Sequence, residues 1–551
     1  MALLNQTFFE KLSSAPTLLL QHRDLLVLES RIVFTALACI YIASYGALRR
    51  PPSAKLPSKG KDGKDKEAHE RDDQYVQGLL PSDAIMFPVL AGTVLVGLYY
   101  LIKWLENTEI LNNIIKLYFS TMAIASLGKL FADGLQNLTG FVFPTVWAST
   151  DGKIYHIDAE KKGHWYAKAG SDDQVWDDDM VSPLPGIFSK LKFSENTTAK
   201  LWRARRILLE DWMVRFTLPP WFKEKFNLKF HDLSGYVLAL GVVVLYHTIE
   251  SPFLSNLIGY ALSYVAIMVM SPTTFATGSA VLFGLFFYDI FMVFYTPFMV
   301  TVATELDAPI KLVFEGPNGA SMLGLGDIVI PGMFIGLCLR FDHYMYYYRQ
   351  RKLEEIELKT DDTSSGWLIT SKEMQRIVVK PEYVNPQGQW GDRFWATTLG
   401  KILSPDATPA LKASTFPKPY FRAALAGYLV AMVVTLAMLV AFKHAQPALL
   451  YLVPGVVIAV WVTGAMRGEL QDMWRYTEDG SLDTTDVIVE VDGSGNVIKE
   501  VQTKKDEGGE NGKQGEQNAD DGKQGEQSAD DGKAEDKTVF LLSIEAPLPS
   551  Q

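Results

Sequence analysis

The sequence predicts an all-α polytopic membrane protein with nine transmembrane helices, long cytosolic loops and a disordered C-terminal tail. Two observations lead there. Apolar residues, 48% of the chain, gather in runs of about the 20 residues that a helix needs to cross a bilayer. Charged residues concentrate in a few connections and in the tail. By length alone, 551 residues would suggest three or four soluble domains. An aromatic content of 12% and a mean hydropathy of +0.06 are high for a soluble chain. Cys39 and Cys338 both lie in apolar runs, which excludes a disulfide framework or a cysteine-based zinc site. The net charge of −11 arises partly in the tail, so no nucleic-acid partner is implied.

The nine spans are Ile32–Leu48, Ala84–Trp104, Asn113–Phe131, Gly235–Glu250, Phe253–Met270, Thr274–Thr296, Gly319–Phe341, Tyr420–Phe442 and Ala448–Met466. The third is the weakest. It carries Lys116 and Lys129, and Leu138–Trp147 is a candidate extension. Ser251-Pro252 separates the fourth from the fifth. Glycine and proline inside spans are tolerated by membrane helices.

Basic residues set the orientation. The connection Arg49–Asp83 holds eight Lys and Arg. Arg340 closes the seventh span and Arg349, Arg351 and Lys352 follow it, and Lys412, Lys418 and Arg422 precede or open the eighth. Lys223, Lys225 and Lys229 precede the fourth. The alternate connections carry at most one basic residue, Lys311 or Lys443. The N-terminus is therefore expected on the lumenal side and the C-terminus in the cytosol. The spans divide the chain into a lumenal segment (1–31), three helices with a cytosolic linker at 49–83 (32–148), a cytosolic insertion (149–234), helices four to seven (235–341), a second insertion (342–419), helices eight and nine (420–466) and a cytosolic tail (467–551).

The apolar run Leu18–Leu20 is too short for a signal peptide, and no A-x-A site follows, so insertion is expected to begin with the first span. Of the sequons at Asn5, Asn137 and Asn196, only Asn5 falls on the side where glycosylation occurs. Trp202–Phe216 has an amphipathic pattern and is a candidate for membrane-surface contact. Gln502–Lys537 contains the tandem repeat GKQGEQNADD–GKQGEQSADD and little apolar surface, so it is expected to be disordered.

Two acids lie inside spans. Asp289 follows Tyr288 in the sixth, and Asp327 follows Gly324-Leu325-Gly326 in the seventh. An acid at mid-bilayer costs about 2.5–3.5 kcal/mol on insertion scales. At a rise of about 1.5 Å per residue, the two are expected about 21–23 Å from the same surface, facing each other. Two adjacent carboxyls in low dielectric share one proton. In that state one accepts a proton from water while the other polarises a carbonyl. A proton relay in a transporter uses such acids equally well, and acids hydrogen-bonded to neighbouring helices can serve packing alone.

Gly324 and Gly326 remove side chains just before Asp327 and weaken the helix there. Tyr288 either bonds a carboxyl or anchors its span. The ninth span opens Gln446-Pro447-Ala448-Leu449, and Pro447 and Pro454 are expected to prevent a continuous helix. The freed backbone groups must then line a cavity or pair with an unwound chain.

Together FYDIFMVF (Phe287–Phe294), LGLGD (Leu323–Asp327) and QPALLYLVP (Gln446–Pro454) resemble the YD, GxGD and PAL motifs of the presenilin-type intramembrane aspartyl proteases. The flanking runs APIKLVF, MLGLGDIVIPG and FKHAQPALLYLVP resemble its signal-peptide-peptidase branch. The resemblance covers roughly 32–466 and is close over 251–341 and 420–469.

It implies a presenilin-like fold and hydrolysis of type II-oriented membrane helices, including signal-peptide remnants. Asp289 and Asp327 would be the catalytic pair, supported by Tyr288, Gly324, Leu325 and Gly326, and Gln446, Pro447, Ala448 and Leu449 would position substrate. No metal and no organic cofactor are implied. The expected surroundings are the lipid bilayer of the endoplasmic reticulum. Quality-control proteins of that compartment and further copies of the chain are candidate partners. A strand near Ile310–Phe314 is expected beside bound substrate.

Two features depart from the pattern: the insertions are long, and the chain ends PLPSQ without a dilysine signal. A proton-relay transporter and a non-cleaving binder of misfolded membrane chains are the alternative readings. Other chemistries lack their motifs. There is no His-Glu-x-x-His, and His247 with Glu250 offers only two ligands.

Overall fold

The computed structural model describes residues 23–55, 77–105, 108–149, 151–167, 174–218, 222–249, 251–306, 309–316, 319–362, 369–396, 409–442, 446–478, 480, 487–491, 497–502 and 541–545. Asn5, the linker beyond Lys55, and the tail between Gln502 and Leu541 lie outside these residues. Among the described residues, nine helices are long and apolar enough to cross a membrane. They are Arg23–Gly46, Asp83–Trp104, Thr108–Val142, Phe230–Thr248, Pro252–Val269, Phe275–Phe294, Gly326–Tyr348, Pro419–Phe442 and Leu449–Arg467. The fold is therefore the predicted polytopic helical one.

The chain forms two compact units, one comprising 1–209, 229–351 and 380–484. At its centre stands the seventh helix, in which every residue from Pro331 to Met345 is buried. A helix that is apolar on all sides needs neighbours on all sides. The first, fifth, sixth, eighth and ninth helices supply them. The second helix packs on the sixth, where a Cβ on Gly284 would meet the Ala84 carbonyl at 2.6 Å. Only glycine permits that approach.

Two span predictions need correction. The third helix does not stop at Phe131. It runs on to Val142, so Leu138–Val142 belongs to it, while Trp147 lies in a strand, Val146–Ala148. Lys129 is accommodated by Asp133 one turn on (2.9 Å), and Asp133 accepts from the Tyr264 hydroxyl of the fifth helix. The seventh span does not begin at Gly319. Gly319–Gly324 is a strand paired antiparallel with Lys311–Gly316, the helix starts at Gly326, and it continues past Phe341 to Tyr348. The hydropathy of an apolar run does not distinguish strand from helix.

The first insertion also departs from expectation. Val146–Ala148, Ile154–Asp158, Gly163–Ala167 and Gln174–Asp177 form a four-stranded antiparallel meander. The amphipathic stretch is a helix only over Glu195–Leu209. Its Trp202 is buried with Trp147, Tyr155, Ile157 and Met180 and donates to the Val181 carbonyl (3.0 Å). Arg205 donates to the Pro144 carbonyl (2.9 Å). The face of that helix bearing Trp202 thus packs on the meander and is not open to a membrane surface, and Asp211–Phe216 of the stretch lies in a strand. Within the meander, Trp147 donates to Nδ1 of His164, so Nε2 carries the proton and meets the Ser182 carbonyl (2.8 Å). Burial holds the pKa of His164 below its ordinary value.

The segment after the ninth helix is not all solvated tail. Leu470–Arg475 is a short helix, and beyond it Glu478 reaches back into the bundle. Its carboxylate bridges Arg49, at the end of the first helix, and Arg340, in the seventh, and accepts from the Ser271 hydroxyl. The Glu478 amide donates to the Thr273 carbonyl (3.1 Å).

The second unit comprises 210–228, 352–379 and 485–551. It is built from strands. Leu541–Glu545, Asp211–Leu218 and Phe222–Lys229 form one three-stranded sheet in that order, its first two strands antiparallel, and Lys352–Asp362 with Ile369–Val379 and Val487–Val491 with Val497–Gln502 form two hairpins. Parts of both insertions and of the tail thus fold together, a grouping that the span pattern does not reveal.

Candidate active site

Asp289 is 4% exposed, deep in the sixth helix. The N-cap Thr274 starts that helix by accepting from the Thr277 amide (3.0 Å). The Leu449 amide donates to Oδ2 of Asp289 (3.1 Å). Leu449 is the first residue of the ninth helix, so this is one of the amides that a helix leaves unpaired at its start. The helix dipole adds to the attraction for a carboxylate. Gln446, Pro447 and Ala448 lead the chain to that point. The carbonyls of Pro447 and Ala448 accept the first helical bonds, from Leu450 (3.2 Å) and from Tyr451 and Leu452 (both 3.1 Å). Pro454 sits inside the helix without ending it, contrary to the expectation of a broken span.

Asp327 is the second residue of the seventh helix, not a mid-helix residue, and it lies within electrostatic reach of Asp289. Its backbone carbonyl accepts from the Tyr428 hydroxyl of the eighth helix (3.2 Å). Leu325 begins the helix, its carbonyl accepting from Ile328 (3.1 Å) and Val329 (2.9 Å), while its amide closes the hairpin on the Ile310 carbonyl (3.1 Å). A Cβ on Gly324 would lie 3.4 Å from Oδ2 of Asp327. Glycine there leaves one side of the carboxyl uncovered. Tyr288 turns toward Gly92 of the second helix (3.6 Å from a Cβ built there) and makes no recorded hydrogen bond to either carboxyl among the described residues.

The hairpin is held by a residue that sequence reasoning missed. Asn256, on the fifth helix, donates from Nδ2 to the Val313 carbonyl (2.7 Å) and accepts the Val313 amide on Oδ1 (2.8 Å). One turn on, a Cβ at Gly259 would meet Leu312 at 2.8 Å. The fifth helix is thus a fitted seat for the strand Lys311–Gly316. Asn256 is an amide in an otherwise apolar stretch, and intramembrane polarity was the signal available to find it.

Among the described residues no cluster of three His, Cys, Asp or Glu side chains could hold a metal ion. The site holds a buried carboxyl, Asp289, with a helix N-terminus against it, and a half-buried one, Asp327, into which a backbone hairpin leads.

A family model described as signal peptide peptidase matches residues 71–480. The chain is 31% identical to mouse signal peptide peptidase over 410 residues, covering 73% of this chain and 74% of that protein. It is 25% identical to human signal peptide peptidase over 420 residues, 75% and 77% of the two chains. It is also 31% identical to intramembrane protease 2 of Caenorhabditis elegans over 277 residues, 49% of this chain and 47% of that one.

Proposed function

The chain belongs to the signal peptide peptidase family of multi-pass membrane proteins, and from that premise we propose that it is an intramembrane aspartic endopeptidase whose working groups are Asp289 and Asp327. It cleaves peptide bonds within transmembrane helices. The observation that supports the assignment is the bond from the Leu449 amide, at the start of the ninth helix, to buried Asp289, with Asp327 at the start of the seventh helix, which packs on the sixth. The relay and non-cleaving readings gain nothing from the family.

The two carboxyls hold one proton between them. The ionised one takes a proton from water as the hydroxyl oxygen bonds to the scissile carbonyl carbon, and the protonated one donates to the carbonyl oxygen. As the tetrahedral diol collapses, one of its hydroxyls returns a proton to the carboxylate that protonated the carbonyl oxygen, the other carboxyl protonates the nitrogen, and the C–N bond breaks to release the acid and the amine, leaving one proton on the pair. The PAL segment serves this by fixing the ninth helix against Asp289. Phe283, Phe287, Phe291 and Phe294 lie exposed along the sixth helix and form the side on which a substrate helix approaches. We place the protein in the endoplasmic-reticulum membrane, N-terminus lumenal and C-terminus cytosolic, on its basic connections. Asn5 is then open to glycosylation, signal-peptide remnants are its substrates, and quality-control proteins and further copies of the chain are its candidate partners.

The test is digestion of a synthetic signal-peptide helix by the purified protein, with products read by mass spectrometry. Internal cuts, blocked by a transition-state analogue of aspartic proteases, are expected. No cuts across several helices with folded protein would sink the reading. Pro447→Leu is expected to lower kcat about 10-fold, or about 1.4 kcal/mol, because a flexible residue there loosens the Leu449 amide from Asp289. Unchanged kcat would remove the PAL segment from the mechanism.

Asn256→Ala carries a different signature. Without its clamp, the hairpin is free to shift, and a sheet register moves in whole residues. Cuts spread to neighbouring bonds, with kcat down about 10-fold. A single unshifted cut site would show that the clamp does no more than stabilise the fold.

A further inference from the structure

The meander of the first insertion carries a feature that the catalytic reading leaves unused. After its last strand the chain turns through a 3-10 helix, Gly186–Lys190, and continues to the helix at Glu195. Ile187 is 85% exposed and Phe188 52%, and Leu191 and Phe193 are exposed as well. Lys190 and Lys192 alternate with them, also exposed. Four large apolar side chains in seven residues are costly to leave in water, at about 25 cal/mol per Å² of apolar surface. Elsewhere in the module Trp147, Tyr155 and Trp202 are buried in one cluster with Ile157 and Met180.

The position of the loop says what covers it. Gly186 lies against Trp395, whose indole would be 3.3 Å from a Cβ there. Trp395 donates to the carbonyl of Phe141 (2.8 Å), in the last turn of the third helix, and Phe394 stacks edge-on against the Phe141 ring (5.7 Å between centroids). Leu138, Phe141, Val142 and Phe394 are all exposed. A Cβ on Gly391 would come within 2.0 Å of the Gly140 carbonyl, so the helix Trp390–Ala396 is fitted closely to the end of the third. The third helix has 35 residues, about 52 Å at 1.5 Å per residue. That is enough to pass through the hydrocarbon and headgroup layers, which together measure about 40–45 Å. Its last turn reaches headgroup level, and the loop is tied to that turn through Trp395. The apolar rim of a spanning helix and the apolar loop are thus continuous.

We propose that Ile187–Phe193 is a membrane-docking loop. Ile187, Phe188, Leu191 and Phe193 enter the boundary between headgroups and acyl chains, and Lys190 and Lys192 meet lipid phosphates. Apolar side chains interleaved with lysines are the composition that such an interface selects. The two lysines favour a leaflet with anionic lipid. The docked loop holds the meander against the bilayer at the end of the third helix.

The experiment uses the full chain in lipid nanodiscs, and its readout does not depend on catalysis. Cys39 and Cys338 are buried, so a nitroxide on Ile187→Cys or Phe193→Cys reports the loop. Collision with oxygen and with a water-soluble nickel chelate gives its depth, and Glu160→Cys on an exposed turn is the aqueous reference. Both loop labels are expected about 5–10 Å below the surface, deeper with phosphatidylserine present than with phosphatidylcholine alone. Lys190→Glu with Lys192→Glu should erase the difference between the two lipids. Chelate accessibility at both labels equal to that of Glu160→Cys would overturn the proposal. So would labels shielded from oxygen and chelate alike, which would mean that protein covers the loop. Equal depth in the two lipids, unchanged by the double variant, would overturn the role of the lysines.

Discussion

Asp327→Asn is expected to reduce cleavage about 10³-fold or more while the protein still folds, and Asp289→Asn is expected to do the same. The size follows from the chemistry, since general acid–base transfer alone contributes about 10²–10⁴-fold. A carboxamide holds no exchangeable acid proton and cannot accept one from water near neutral pH. Folding should survive because the structural duties of both residues pass to asparagine. The bond from the Leu449 amide to Asp289 needs only an oxygen acceptor. The contact of Tyr428 with residue 327 is made to the backbone carbonyl, which the substitution leaves in place. The measurement is single-turnover cleavage of a transmembrane peptide, beside a melting curve for each variant. Cleavage within 10-fold of wild type by either asparagine variant would remove that residue from the mechanism. Loss of cleavage together with loss of fold would leave the acids with a packing role only.

Glu478→Ala is the substitution with the largest expected effect on stability. The Arg340 side chain is 3% exposed and that of Glu478 10%. Removing the shared carboxylate leaves Arg340 buried without its counter-charge, near a second cation, Arg49. Breaking a buried ion pair by deleting one partner costs about 3–5 kcal/mol. The midpoint of thermal unfolding in detergent should fall by about 3–4 °C, since a chain of 551 residues loses about 1.2 kcal/mol of unfolding free energy per degree near its midpoint. Arg49→Met should cost less, because Arg49 is more exposed and Glu478 keeps its bond to Arg340. A shift below about 1 °C for Glu478→Ala, or about 1 kcal/mol, would show that solvent already satisfies the carboxylate. The site lies on the C-terminal side of the ninth helix, so truncation before residue 478 should behave like the point variant.

The two acids were legible because a charge in an apolar span has no inexpensive explanation. Each residue bears that cost by itself, whatever its neighbours. The PAL segment was legible for a related reason, since Pro447 interrupts helical bonding wherever it stands. What it does was less so. The expectation of a broken span at Pro454 failed because one proline removes one hydrogen bond, and the helix Leu449–Arg467 closes around the gap. The strand Gly319–Gly324 is as apolar as the seventh span it precedes, and only its pairing with Lys311–Gly316 distinguishes it from helix.

The sequence by itself determined the number of spans, the placing of one acid in each of two of them, and the motifs that mark the family. Those features rest on transfer free energies and local backbone chemistry, which act position by position along the chain. Tertiary structure alone decided which groups meet. The Leu449 amide reaches Asp289 across 160 residues, Glu478 reaches Arg340 across 138, and Asn256 grips Val313 across 57. A hydrogen bond depends on distance and direction to within a few tenths of an ångström. That precision comes from close-packed helices and not from the composition of any one of them.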